Sequence, residues 1–164
     1  MKLEPEMMRM GNNVKELTVE ADLRNLDSLI GFVEERLEEL GCTTKAKMQI
    51  CIALEEIFVN VVSYAYGEGA QGRPGQADAP AQDRPVEIVS IRVEDTDDPR
   101  SVAVTITDQG RPFDPLEKAD PDVTLSADER KIGGLGIYMV KKSMDHMQYE
   151  YRDGQNILTF RKDL

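Results

Sequence analysis

Glu56 and Asn60 stand four residues apart in the segment Leu54-Glu55-Glu56-Ile57-Phe58-Val59-Asn60. In a helix that spacing stacks them on a common face. A carboxylate and an amide one turn apart can position a metal ion together with a water or a hydroxyl. A second set follows in Thr107-Asp108-Gln109-Gly110-Arg111-Pro112-Phe113. Asp108 comes where an apolar alternation ends and a glycine-containing turn begins. A partly desolvated carboxylate there can accept a hydrogen bond from the exocyclic amine of a base such as adenine, a bond worth about 1.5–3 kcal/mol. Gly110 lets the backbone approach that base where a side chain would collide. The third set, Ile132-Gly133-Gly134-Leu135-Gly136-Ile137, opens an apolar helix. Its free backbone N–H groups and positive dipole end can face phosphate oxygens. Arg130 and Lys131, just before the glycines, could reach a terminal phosphate.

Each set alone has an ordinary reading. Glu56 and Asn60 would be a solvated helix face, Asp108-Gln109-Gly110 a strand-end turn, and Arg130 and Lys131 two exposed loop cations. The glycines match no Walker loop, because no Gly-Lys-Ser/Thr follows, and they lack the βαβ context of a dinucleotide fold.

The elements that must position these residues follow from periodicity. Residues 1–13 are polar and Met-rich without a period and read as a loose arm. Val14 to Glu20 alternates as a short strand. Asp22 is a candidate N-cap for a helix carrying Leu23, Leu26, Ile30, Val33, Leu37 and Leu40, which Gly41 stops. Thr43 or Thr44 can cap the central helix, predicted from about Lys45 to Tyr66. Its core stripe is Ile50, Cys51, Leu54, Ile57, Phe58, Val61 and Val62, with Glu56 and Asn60 nearly opposite. Residues 67–85 are rich in Gly, Ala, Gln and Pro and read as a flexible insertion, longer than most connections in a compact domain. Val86 to Glu94 and Ser101 to Thr107 read as strands, with Val89, Ile91, Val93 and Val102, Val104, Ile106 inward. Residues 114–131 are polar and aperiodic. A helix over Gly133 to Asp145 follows. Met147, Tyr149 and Tyr151 then alternate, Asp153-Gly154 turns the chain, and Ile157 to Arg161 forms the last strand. The order β-α-α-β-β-α-β-β makes an α/β (α+β) two-layer sandwich, a mainly antiparallel sheet with three helices on one face.

At 164 residues the chain is one domain, residues 14–164, large enough to bury a core without disulfides or metals. Twenty basic against thirty-one acidic residues give a net charge of −11, which repels a nucleic-acid backbone. Cys42 and Cys51 have no metal-like spacing, and Cys51 falls on the core stripe. The N-terminal residues lack an apolar signal region, and no run approaches the roughly 18 apolar residues of a membrane span. The expected location is therefore cytoplasmic, without membrane attachment.

Taken in order, Glu-x-x-x-Asn, Asp-x-Gly-x-x-Phe and Gly-Gly-Leu-Gly resemble the three nucleotide boxes of the GHKL ATPase superfamily, over roughly Val14 to Lys162. Within it the chain is most similar to the anti-sigma-factor serine kinases and their stand-alone relatives. The resemblance implies a Bergerat ATP-binding fold, ATP and Mg²⁺ as ligands, and a lid over residues 114–131. It implies Glu56 as general base and Asn60 as magnesium ligand. Asp108, Gly110, Phe113, Arg130, Lys131, Gly133, Gly134, Leu135, Gly136 and Ile137 would contact the nucleotide. It further implies transfer of the γ-phosphate to serine or threonine on a small STAS-type antagonist, with a sigma factor as second partner and a homodimer as the assembly. The alternative is a non-catalytic module whose bound ATP holds a partner-binding shape. Arg24, on the first helix, would lie near the partner and dimer surfaces or be an exposed helix arginine. Two positions depart from the family: Val59 where Thr is frequent, which puts the rate of transfer in question, and Tyr64 where His is common. His146, the one histidine, follows the third box instead of heading a dimerisation helix, which argues against a self-contained sensor histidine kinase.

Overall fold

The computed structural model describes residues 14–65, 86–97, 100–117 and 135–164. The expected arm over 1–13, the insertion over 67–85 and all but the start of the expected lid lie outside the described residues. Five strands, β1 (Val14–Glu20), β2 (Ile88–Asp97), β3 (Arg100–Asp108), β4 (His146–Arg152) and β5 (Gln155–Asp163), form one antiparallel sheet in the order β1-β2-β3-β5-β4. Three α-helices are described, α1 (Leu26–Glu39), α2 (Thr44–Asn60) and α3 (Leu135–Ser143). This is the α+β two-layer architecture that the alternation of strand and helix periods predicts.

The core lies between the helices and one face of the sheet. Val89, Ile91 and Val93 on β2, Val102, Val104 and Ile106 on β3, and Leu158 and Phe160 on β5 are buried. They meet Leu29, Val33 and Leu37 of α1, Ile50, Leu54, Ile57 and Phe58 of α2, and Ile137 and Val140 of α3. A one-residue slip in any central strand would carry these side chains to the open face, so burial fixes the register. That register pairs Asp108 with Val89 on one side and with Asn156 on the other.

Local signals set the ends of the elements. Asp22 caps a 3₁₀ turn, Leu23–Asn25, that leads into α1, its carboxylate accepting from the Arg24 N–H at 2.8 Å. The first helix therefore begins at Leu26, three residues later than the cap alone suggests. Gly41 ends it with φ 71°, the Cys42 N–H bonding Leu37 O and the Gly41 N–H bonding Glu38 O, both at 3.0 Å. This is the paired C-terminal bonding that a left-handed residue allows. Of the two candidate threonines, Thr43 caps α2, accepting from the Ala46 N–H at 3.1 Å. A π-helical turn, Val61–Ala65, follows α2. Asp153 and Gly154, both at positive φ, make the tight turn between β4 and β5.

Candidate functional site

Asn60 lies two turns after Ala53 and four after Ala46, all on one side of α2, and both alanines are buried. These small residues widen the buried stripe toward the Glu56–Asn60 face. The two polar residues thus sit half-buried at its border and not nearly opposite it, as the larger apolar residues alone suggest. Asn60 Nδ2 donates to the Glu56 carbonyl at 2.8 Å. The amide nitrogen is thereby held against the helix, and among the described residues Oδ1 takes no hydrogen bond.

The Glu56 side chain reaches across to α3. A Cβ placed on Gly136 would fall 2.0 Å from Glu56 Oε2 and 2.6 Å from its Cδ. Only the missing side chain of Gly136 lets the carboxylate lie against the first turn of α3. The first and third glycine- and carboxylate-bearing sets, 80 residues apart in sequence (136 − 56), are in van der Waals reach of each other. Ile137, the next residue, is buried and anchors α3 in the core. Leu135 begins the helix. Arg130, Lys131, Gly133 and Gly134 lie outside the described residues.

Asp108 ends β3 with 3% of its surface exposed. Its Oδ1 accepts from the Gly110 N–H and from Asn156 Nδ2, both at 2.9 Å. Burial pushes the carboxyl up from its ordinary value, and those two hydrogen bonds pull it back part of the way. Asn156, 4% exposed on β5, also donates to the carbonyls of Arg111 (2.9 Å) and Gly110 (3.4 Å). Its Oδ1 accepts from the Phe113 N–H at 3.0 Å and from the Tyr149 hydroxyl at 2.5 Å. The loop from Asp108 to Phe113 is therefore shaped by a residue on another strand. A narrow pocket opens beside it, lined by Asn60 and Val61 from the end of α2, Asp108 and Phe113, and Tyr149 and Asn156. The first and second sets meet in this pocket.

Asn156 and Tyr149 do not belong to the sets read from sequence. A signal for Asn156 exists: Asn156, Leu158 and Phe160 alternate, which places an amide at an inward position of a strand, where it must find partners. Gly110 is buried and Phe113 half-buried, both next to the pocket. Val59 is half-buried, and His146 is exposed on edge strand β4, away from the helix positions of a phospho-accepting histidine. Arg24 folds back onto Asp22 with an Nη2–Oδ2 distance of 2.6 Å and stays 86% exposed. That guanidinium holds the Asp22 carboxyl down at about 2. Burial raises the Cys51 thiol to about 11, which keeps it a neutral, partly buried packing residue. Among the described residues no group of three or more His, Cys, Asp or Glu side chains could hold a metal ion. No helix of the described residues is long and apolar enough to cross a membrane.

The model of the histidine kinase-like ATPase domain family matches residues 19–162. Over 117 residues the chain is 26% identical to the serine/threonine-protein kinase BtrW of Bordetella bronchiseptica, covering 71% of this chain and 70% of that one. It is 27% identical to the anti-sigma F factor of Pasteuria penetrans, covering 71% and 67%. Two solved structures share the fold. One contains the RsbU and RsbW domains of a Mycobacterium tuberculosis protein (TM-score 0.58, 14% identity, 92% of this chain); this chain spans 32% of that longer one. The other is the SiaB–SiaC complex from Pseudomonas aeruginosa (TM-score 0.55, 13% identity, full coverage of both chains).

Proposed function

Because the chain belongs to the histidine kinase-like ATPase domain family, we propose that it binds ATP and transfers the γ-phosphate to a serine or threonine of a small antagonist protein in a partner-switching system. The observation that carries this reading is convergence. Asn60 shares a pocket with Asp108 and Phe113, while Glu56, one turn before Asn60, lies against Gly136. Three sets far apart in sequence thus meet through the end of α2, whose Asn60 borders the narrow pocket beside Asp108 and whose Glu56 borders the start of α3.

In this reading Asp108 accepts a hydrogen bond from the adenine amine through Oδ2, since Oδ1 is already held by Gly110 and Asn156. The pocket is narrow, so in this reading the Phe113 side chain moves aside to admit the base while its N–H keeps the bond to Asn156. The first turn of α3 faces the phosphates with backbone N–H groups and the positive end of its dipole. Glu56 orients the acceptor hydroxyl and takes its proton as the oxygen attacks the γ-phosphorus in line and the bond to ADP breaks. Asn60 Oδ1 would hold a magnesium ion as its one protein ligand, since magnesium favours oxygen and leans on substrate phosphates. Magnesium, when bound, neutralises the phosphate charge. Arg130, Lys131, Gly133 and Gly134 complete the phosphate end in this proposal.

The relatives supply the partner class. One is named a serine/threonine-protein kinase and another an anti-sigma factor. A sigma factor and a small antagonist are accordingly the proposed partners, and the acidic chain suits a basic or amphiphilic one.

The test is transfer from γ-labelled ATP with Mg²⁺ into host lysate proteins, wild type beside Glu56→Ala. A small labelled protein that appears with wild type alone supports the kinase and identifies its substrate. ATP binding without any labelled product favours the alternative, a module that uses ATP to hold its partner-binding shape. Absence of ATP binding removes the reading of all three sets.

A further inference from the structure

We propose that Asn156 and Tyr149 act as a positioning pair for base recognition, fixing the Asp108 carboxylate so that Oδ2 alone is offered to a purine amine. The proposal rests on the reading of Asp108 as the base-recognising carboxylate.

An asparagine amide has two N–H donors and two carbonyl lone pairs. In Asn156 all are committed. The nitrogen serves Asp108 Oδ1 and the Gly110 and Arg111 carbonyls; the oxygen serves the Phe113 N–H and the Tyr149 hydroxyl. Nothing is left over for a ligand, so Asn156 acts through Asp108 and the loop and not by touching the base. Its orientation is also unique. A flipped amide would set oxygen against a carboxylate and two carbonyls, and nitrogen against the Phe113 N–H. The Phe113 N–H, which can only donate, resists the flip, and the Tyr149 hydroxyl adds a second donor to the same oxygen. The hydroxyl reaches Asn156 diagonally, since Tyr149 pairs with Leu158 and Asn156 with Tyr151 across β4 and β5. Among the described residues no hydrogen bond reaches Asp108 Oδ2, and Ile57, Val61, Ile106, Phe113 and Leu158 give the pocket a mainly apolar lining beside Asn60, Tyr149 and Asn156. A buried carboxylate with one oxygen saturated and the other free selects a donor and rejects a carbonyl such as the O6 of hypoxanthine.

A purely structural role would make the same hydrogen bonds, so the test needs readouts that folding alone does not move. Asn156→Asp keeps the shape but replaces the donor with a carboxylate facing Asp108. Two carboxylates in one buried site share a proton, which raises the titration of the pair. The charged or titratable neighbours are Tyr149, which burial pushes up and keeps neutral, with Asp114 and Tyr151 beside it.

The experiment measures ADP and inosine diphosphate affinities by calorimetry from pH 5 to pH 8, for wild type, Asn156→Asp and Tyr149→Phe, with a melting curve for each. The Asp108 carboxyl is followed by carbon-13 NMR in the nucleotide-free proteins. Wild-type ADP affinity is expected to fall on acidification, as Oδ2 gains a proton. In Asn156→Asp it should be about a hundredfold weaker at neutral pH and rise on acidification, because the shared proton restores the bond to Asp108. Opposite pH slopes are the signature. Tyr149→Phe should lose about threefold in ADP affinity with less change for inosine diphosphate, so that discrimination between the two falls. Should Asn156→Asp fail to fold, that ratio in Tyr149→Phe decides. A folded Asn156→Asp whose Asp108 titration and pH slope match wild type overturns the positioning pair, as does unchanged discrimination in Tyr149→Phe. A wild type that binds no adenine nucleotide overturns the base-recognition reading instead, whatever the titration shows.

Discussion

The two ends of the candidate site are built differently. At the sheet end, Asp108, Gly110, Phe113, Tyr149 and Asn156 form a closed hydrogen-bonded cluster, buried or half-buried, in which the shape of the loop is set before any ligand arrives. At the helix end, Asn60 makes one bond to its own helix and the Glu56 carboxylate rests in the gap left by a glycine. Preorganisation suits recognition of a flat, uncharged base, where misplacing a single acceptor forfeits the bond. Freedom suits a group that must meet an incoming hydroxyl and let a phosphate pass. The difference predicts that damage at the sheet end appears as lost affinity, and damage at the helix end as lost turnover with affinity kept.

The largest expected effect is at the helix end. Glu56→Gln should lower phosphate transfer by about 10²–10⁴-fold, the usual range for a general base, with ADP affinity within a few-fold of wild type. Parallel loss of both would break the comparison. Next comes Asp108→Asn, expected to weaken ADP about ten- to a hundredfold and to flatten the pH dependence of binding. The sign for stability is opposite. Burial raises the native Asp108 carboxyl above its unfolded value, so its contribution is fully present below the unfolded pKa and is lost as pH rises through the native one. Asp108→Asn should therefore leave the protein at neutral pH as stable as wild type or more so, readable as Tm against pH. A Tm loss would show that the carboxylate itself holds the loop.

Gly136→Ala sharpens the comparison at smaller scale. Alanine is the better helix residue by about 0.5–1 kcal/mol, so Tm should hold or rise. Its Cβ would displace the Glu56 carboxylate, and transfer should fall about tenfold if Glu56 works from that position. Unchanged turnover would mean that Glu56 acts from another rotamer. The smallest effect is expected from Arg24→Ala. The pair with Asp22 is exposed and screened, so Tm should not move measurably, and any loss of function would report a partner contact.

Much of this architecture was readable from residue patterns. Alternation placed Val89, Ile91 and Val93 against Val102, Val104 and Ile106 because burial enforces a period of two, and Thr43 and Gly41 marked helix ends through chemistry local to those residues. The half-buried setting of Asn60 was harder to see. It depends on Ala46 and Ala53, which are too small to weigh in an apolar stripe yet allow close packing. Asn156 escaped for a related reason. Its importance comes from a pairing with Asp108 across the sheet, and sequence spacing does not show which strand becomes the neighbour. The closeness of Glu56 to Gly136 is likewise a product of helix packing.

The Asp108–Asn156 bond spans 48 residues of chain. Closing a loop of that length costs entropy before the contact repays it, and central antiparallel pairings between distant strands form slowly. Asp108 is thus synthesised well before the side chain that aligns it. During translation a nascent chain carrying β1 to β3, α1 and α2 already holds Glu56, Asn60 and Asp108 but not Tyr149 and Asn156, which complete the pocket beside Asp108. In the proposed reading nucleotide then cannot assist folding by binding early. In that reading it would stabilise the protein only after β5 has docked between β3 and β4, which would make the last strand the step that completes the candidate site.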